Sequence, residues 1–182
     1  MITEWALIPA RSGSSYTHKN MLKIGDKTLI QLAAESRLPG MVGVISSDSD
    51  EYIQEGMKHG LISLGKRNTP DSSSTANIFP LWRKLWLALE REVGEKIPRG
   101  VLLEPTSPNR TKRDIERCLV ALVNHKTAAT FTQSRRFDPM RTYIPTGKNF
   151  NSPVKRYFST PLYSGNYFYQ KNGCCYAAVR EA

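Results

Sequence analysis

The alternation of short apolar runs with longer amphipathic segments is what most limits the fold of this chain. "EWALIPA" is apolar from Trp5 to Pro9, stops at Ala10-Arg11, and reads as a first buried strand. "TLIQLAAESR" reads as a helix, with Thr28 placed to cap it and Gln31, three residues on, placed to complete a capping box. "VGVISSD" is a second strand that ends in hydroxyls and a carboxylate. "SDEYIQEGMKHG" follows as a short helix stopped by Gly60, and "LISLG" as a brief third strand. In "NIFPLWRKLWLALERE", Ile78, Trp82, Leu85, Trp86 and Leu89 recur at helical spacing. Pro80 is tolerable only in a first turn, which starts that helix near Asn77. "RGVLLEPTSP" holds three consecutive apolar residues, the pattern of a strand covered on both faces. Thr111 with Asp114 then makes a capping box ahead of the stripe Ile115, Cys118, Leu119, Leu122 and Val123, and "AATFT" is a further strand. Strand and helix in turn predict a three-layer α/β/α domain, Rossmann-like, with a mostly parallel sheet.

The pattern changes from about Ser134. The stretch to residue 170 is rich in Pro, Gly, Asn and aromatics without a helical stripe, and reads as a long excursion with short strands or hairpins. The organisation expected is therefore a core over residues 1–133, an excursion over 134–170, and a strand returning to the core over 171–182. A chain of 182 residues suits one domain with room for a small appendage, and its 40% hydrophobic content suffices for a core. No apolar run approaches the ~20 residues of a membrane span, and "MITEWALIPA" lacks the features of a signal peptide, so a cytoplasmic protein is expected. Cys118, Cys174 and Cys175 make no metal pattern and read as buried thiols in a reducing compartment. The net charge of +10 suits anionic partners, nucleotides or nucleic acid, but the cations are scattered without a nucleic-acid-binding signature.

Ligands of open α/β sheets bind beyond the carboxyl ends of the strands. Three polar clusters fall there: "PARSGSSYTHKN", "SSDSDE" and "EPTSPNR". The first has the physics of a phosphate cradle. Gly13 and the serines let backbone N–H groups approach an anion, Arg11 offers a planar fork, and Lys19 a mobile point charge. It is neither a Walker A loop nor a Gly-x-Gly-x-x-Gly fingerprint, and a solvated serine-rich turn is the plain alternative.

"IPARSGS…KN" resembles the opening motif of the sugar-acid cytidylyltransferases, the CMP-N-acetylneuraminic acid synthetase family, related to CMP-Kdo synthetases. The resemblance continues in order. "LKIGDKTLI" is similar to the family's Arg/Lys-x-Gly-x-Lys-Pro-Leu, "VISSDSDE" to Val-Ser-Thr-Asp-Ser-Glu, and "RNTPDSSST" to Arg-Pro…Asp-x-Ser. "VLLEPTSPNR" is similar to Leu-Leu-Gln-Pro-Thr-Ser-Pro-x-Arg and "NGCCY" to Asn-Gly-x-x-Tyr. The resemblance implies a nucleotide-diphospho-sugar transferase-like fold and a CTP-dependent reaction. The anomeric hydroxyl of a 2-keto sugar acid of the sialic acid kind attacks the α-phosphorus of CTP and releases pyrophosphate, with Mg²⁺ as cofactor. Carried over residue by residue, Ala10, Arg11, Ser12, Gly13, Ser14 and Lys19 would hold the nucleotide, with Arg11 and Lys19 on the triphosphate. Asn20 and Arg67 would lie near base or ribose, and Ser72 or Ser73 on the cytosine. Glu104, Asn172 and Tyr176 would face the sugar. The segment 134–170 resembles the one through which family members dimerise, so a homodimer is implied.

The chain departs from the family in four places. The loop lacks the family's Ser-Lys-Gly lysine, leaving Lys19 or His18 to serve the phosphates. The family glutamine is Glu104, a carboxylate suited to act as general base or on another hydroxyl. The segment from Arg67 to Asp71 is short. The family's Asp-x-Asp magnesium ligands, some thirty residues beyond Asn-Gly-x-x-Tyr, have no counterpart before Ala182, and Asp48, Asp50 and Glu104 stand as spare acids. A truncated product, a nucleotide-binding homologue without efficient turnover, and ligands supplied by another chain remain open. A basic nucleic-acid-binding domain is the reading from a different class.

Overall fold

Strand β1 (Glu4–Pro9) is the axis of the sheet, buried on both faces from Trp5 to Ile8. The computed structural model describes residues 1–13, 18–68, 72, 77–134, 142–146, 149–151 and 168–182. In chain order the further strands are β2 (Lys23–Ile24), β3 (Lys27–Thr28), β4 (Val42–Ser46), β5 (Ile62–Ser63), β6 (Arg99–Leu102), β7 (Thr127–Ser134), β8 (Thr142–Thr146), β9 (Asn149–Asn151) and β10 (Phe168–Val179). The helices are α1 (Leu29–Glu35), α2 (Asp50–Lys58), α3 (Ile78–Val93) and α4 (Lys112–Ala121).

The order across the main sheet is β5-β4-β1-β6-β10-β8-β9, and β7 pairs β10 off that path. β1 is parallel to β4 (Leu7 opposite Val44) and to β6 (Leu7 opposite Leu102), and β4 is parallel to β5. The expected mostly parallel sheet is thus found in its centre. β10 departs from it, running antiparallel to β6, with Tyr176 opposite Leu102. That reversal carries residues 172–176 to the edge where β1, β4 and β6 end. β7 runs antiparallel along the other side of β10, and within the excursion β8 and β9 form an antiparallel pair.

Alternation along each strand splits the core into two layers. Ala6, Ile8, Ile45, Val101, Leu103 and Ala177 face α1, α2 and α4. Trp5, Leu7, Val44, Leu102 and Ala178 face α3 through Trp82, Trp86 and Leu89. The Trp5 and Trp86 rings meet edge to face at 5.6 Å, and Gly100 makes room for them: a Cβ there would stand 2.6 Å from Trp5 Nε1. Glu90 near the end of α3 accepts from Ile97 N at 2.9 Å and from Arg180 Nε at 2.6 Å. Burial pushes its carboxyl up, but the Arg180 and Ile97 hydrogen bonds outweigh that and leave it below the usual carboxylate range.

Helices α3 and α4 start where expected, and each is capped. Asn77 caps α3, and Thr111 with Asp114 closes a complete box on α4, Thr111 N to Asp114 Oδ2 being 2.8 Å. At α1 only half of the expected box forms. Thr28 Oγ1 accepts from Gln31 N at 3.0 Å, but the Gln31 amide donates to Glu35 one turn on, at 2.8 Å, instead of returning to the cap. Among the described residues no helix is long and apolar enough to cross a membrane.

Candidate functional site

The ends of β1, β4 and β6 and the start of the last pairing of β10 share one edge of the sheet. The loop after β1 is fixed there before it turns. Ala10 N donates to Ser46 O at 2.9 Å, binding the first loop residue to the end of β4. Ser12 gives both its donors to one carboxylate, N to Asp48 Oδ1 and Oγ to Asp48 Oδ2, each at 2.8 Å. Burial pushes the Asp48 carboxyl up, yet those two bonds, with Arg67 nearby, hold it below its ordinary value. Asn20, 5% exposed, donates from Nδ2 to Arg11 O at 3.1 Å and so supports the loop from beneath. Between these anchors Arg11 is half-buried, and its Nη1 is buried without a hydrogen-bond partner among the described residues. Gly13 is exposed, and a Cβ there would meet open space.

Arg67, in the segment after β5, backs this edge. It is 8% exposed, donates from Nη2 to Ser46 O at 2.7 Å, and its own N–H reaches Ser47 O at 2.7 Å. It therefore braces the end of β4.

The second half of the site is built on Glu104. Residues 104–110 make two successive turns, Ser107 N to Glu104 O and Arg110 N to Ser107 O, each 3.2 Å. Opposite them β10 bulges: its register against β7 shifts between Lys171 and Tyr176. Gly173 turns the bulge at φ +71°, and Thr130 ties it, accepting from Cys175 N at 2.9 Å and donating to Asn172 Oδ1 at 2.6 Å. The bulge rests against the Glu104 carboxyl so closely that a Cβ on Gly173 would stand 2.5 Å from Oε2. Burial pushes that carboxyl up; Arg110, Lys19 and a Thr106 hydrogen bond pull it back only in part. Lys19, in the turn after β1, acts electrostatically on Glu104, which relates the two halves of the edge to each other.

The expected site residues are thus distributed unevenly. Lys19 acts electrostatically on Glu104, Arg11 keeps a buried guanidinium nitrogen without a partner among the described residues, and Ala10, Ser12, Asn20 and Arg67 spend the hydrogen bonds just described on fixing the loop after β1 and the end of β4. Ser72 lies on the surface side, with Oγ bonded to Asn68 O at 3.0 Å. Ser14 and Ser73 lie outside the described residues. The Asn172 amide oxygen is turned into the bulge, accepting from Thr130 and from Cys174 N at 3.0 Å. The Tyr176 ring packs edge-on against Phe79 at 6.0 Å, on the α3 side of the sheet. His18 turns toward α2, its Nδ1 3.6 Å from Glu51 Oε2. Cys118 and Cys175 are buried thiols and Cys174 is half-buried; hydrogen bonding to Cys118 and burial raise Cys175 far above a reactive thiol's range.

Sequence reasoning passed over two residues. Asp48 is not a spare acid but the lock on Ser12. Arg110 lies beneath the Glu104 turns and also lines a cavity of about 640 Å³ between α4 and β7, beside the cleft, whose walls include Ser107, Arg117, Thr130 and Asn172. Arg11 and Lys19 take no part in that cavity, so its size says nothing of the anion site.

Magnesium is the cofactor the resemblance implies. Among the described residues no group of three or more His, Cys, Asp and Glu side chains gathers around a common point. Asp48 is taken by Ser12, and Asp50 pairs with Lys66 at 2.6 Å. These residues do not fit a magnesium site built from protein carboxylates, and no chemical step is assigned to the ion.

No protein-family model and no curated protein matches the chain. Solved structures do. A CMP:2-keto-3-deoxy-manno-octonic acid synthetase complexed with CTP superposes with a TM-score of 0.67 at 17% identity, over 98% of this chain and 74% of that one. A 4-diphosphocytidyl-2C-methyl-D-erythritol synthase from Anaerococcus prevotii gives 0.58 at 12% identity, over 98% and 71%. A cytidylyltransferase from Leptospira borgpetersenii gives 0.52 at 17% identity, over 72% of this chain and 53% of its own length. What the chain shares with all three is the fold, a mixed α/β domain with a mostly parallel central sheet.

Proposed function

We propose that this chain is a cytidylyltransferase, which transfers CMP from CTP to a 2-keto sugar acid of the sialic acid kind and releases pyrophosphate. The observation that carries the reading is Arg11 Nη1, a buried donor without a partner among the described residues, at the end of β1 where the Ser12-Gly13 turn begins. A buried unpaired donor is costly unless a ligand pairs it, and a phosphate oxygen matches the guanidinium fork. Of the solved structures that share the fold, one is named as a cytidylyltransferase and another, a CMP:2-keto-3-deoxy-manno-octonic acid synthetase, is complexed with CTP, which favours a cytidine triphosphate over other anions.

In this reading Arg11 and Lys19 hold the triphosphate, with the Asp48–Ser12 and Asn20–Arg11 bonds keeping the loop from relaxing onto them. The sugar's anomeric hydroxyl attacks the α-phosphorus, a new P–O bond forms, and the bond to the β,γ-pyrophosphate breaks. Glu104 accepts the hydroxyl proton. Its raised proton affinity brings it nearer to working pH, as a general base requires. The remainder of the effect is positioning and charge neutralisation.

The test is pyrophosphate release from CTP with Mg²⁺ and a panel of sialic, legionaminic, pseudaminic and Kdo acids, with CTP binding followed by calorimetry. Turnover with one acid supports the reading; no release with any acid defeats it. A second reading, nucleotide binding without turnover, draws on the engagement of Asp48 and Asp50 in protein contacts. CTP binding without pyrophosphate release would select it.

A further inference from the structure

We infer that Arg110 is a positioning residue, which locks the Glu104 turn, the Gly173 bulge and the end of α1 into one fixed relation and so sets where the Glu104 carboxyl stands. Its importance for turnover rests on the proposed role of Glu104; its effect on that carboxyl does not.

Arg110 is 8% exposed. Its guanidinium sends each nitrogen to a different segment: Nε to Cys174 O in the bulge, Nη2 to Glu104 O, and Nη1 to Ser36 Oγ after α1, the last at 3.3 Å. Cys174 O and Ser36 Oγ lie 64 and 74 residues away in the chain. Three acceptors in three directions need a rigid planar fork, which lysine does not have. All three acceptors are neutral, and among the described residues Arg110 forms no ion pair. A buried cation is an expensive filler on those terms, but a fitting neighbour for a carboxyl that must keep its charge. The confinement is two-sided: Arg110 holds Glu104 by its backbone and holds the bulge whose Gly173 closes on the carboxyl. The groups that face Glu104 are Arg110 and Thr106 from its own loop and Lys19 from the turn after β1. Opposite them the bulge brings Gly173 against the carboxyl, and no charged group of residues 172–176 adds to it.

The experiment uses the full chain with Arg110→Met and Arg110→Lys, and E104Q to assign the Glu104 resonance in carbon-13 carboxyl NMR. R110M removes the charge and is expected to move the Glu104 titration midpoint up by about one pH unit. R110K keeps the charge and loses the fork. Its midpoint is expected near wild type, amide exchange over residues 172–175 is expected to rise about tenfold while β1 is unchanged, and kcat to fall about 100-fold with KM for CTP within about twofold. An unmoved midpoint in R110M overturns the inference. If R110M does not fold, R110K decides: wild-type exchange at 172–175 overturns it, and raised exchange there supports it. A wild-type chain without turnover removes the proposed activity, and the titration and exchange arms then stand alone for Arg110.

Discussion

Replacing Gly173 by alanine tests the centre of the cleft, because two separate costs meet there. The backbone stands at φ +71°, which an L-residue adopts at about 1–2 kcal/mol. The new methyl would stand 2.5 Å from Glu104 Oε2 and 3.1 Å from Cδ. Both atoms end a flexible side chain, so the carboxyl swings away at an off-rotamer cost of about 0.5–1.5 kcal/mol. Together these give a loss of about 2 kcal/mol, and for a chain of this size a fall in Tm of roughly 4–8 °C. Thermal unfolding by circular dichroism, with urea titration as a check on the slope, measures both the single variant and its combination with Glu104→Ala. Removing the carboxyl first should erase the steric part and leave the backbone part, a coupling of about 0.5–1.5 kcal/mol in the double-mutant cycle. Additive effects within about 0.3 kcal/mol would mean that the carboxyl does not lie against Gly173. A G173A variant as stable as wild type would mean that the left-handed turn itself is wrong. Turnover in G173A is expected to fall further than stability alone explains, since the displaced carboxyl no longer faces the cleft.

Three further outcomes follow from the same geometry. Arg11→Ala should weaken CTP binding about 10- to 100-fold, the worth of a hydrogen bond to a charged group, while Tm is maintained, because the lost Nη1 has no partner among the described residues; calorimetry and thermal melts check the two halves. Asp48→Asn should lower Tm at neutral pH. The folded Asp48 holds its proton less tightly than the unfolded chain, so its stabilisation is complete above about pH 4 and fades as pH falls through its lower folded value; the wild-type and D48N melting curves should therefore converge in acid. Glu104→Gln should do the opposite. A raised folded pKa adds stability below the unfolded value that disappears as pH rises through the folded one, so E104Q should gain on wild type at pH 7–8 and not at pH 4; a constant difference across that range would rule out the buried carboxyl.

What the sequence disclosed and what it hid divide along a physical line. β1, β4 and β6 were legible because a strand covered on both faces must be apolar without interruption. The caps Thr28 and Thr111 and the start of α3 near Asn77 were legible because a helix start is a local event. The grouping of polar clusters at one edge followed from parallel strands. The partnerships were not legible. Asp48 meets Ser12 across 36 residues and Arg110 meets Ser36 across 74, and neither spacing leaves a mark on the sequence. Asn172 shows the limit most clearly: as a strand residue it should project into the cleft, but the register shift in β10 turns its amide oxygen onto Thr130 and Cys174. Only Gly173 hinted at that bulge. The Gln31 half of the α1 box did not form; the side chain is instead held along the helix by its Nε2 donating to Glu35 one turn later.

The local charge of the edge decides between a built anion site and a merely basic surface. Among the described residues Arg67 acts on Asp48, Lys19 and Arg110 act on Glu104, and Arg110 also on Asp114, and Arg67 and Arg110 are each 8% exposed. Buried cations are poorly screened by salt, whereas the other cations of the chain's +10 excess are scattered along the sequence. The two kinds of charge should therefore part company as ionic strength rises. A protein binding nucleic acid through six to ten phosphates loses about 10³- to 10⁵-fold in affinity between 50 and 200 mM salt. CTP held by Arg11 and Lys19 at a preformed loop should lose less than about tenfold over that range, since only a few ions are displaced. Parallel titrations with CTP and with an unrelated oligonucleotide give the comparison directly. If CTP binding collapsed as steeply as the oligonucleotide's, the cleft would be no more than part of a basic surface, and the unpartnered Arg11 nitrogen would need another explanation.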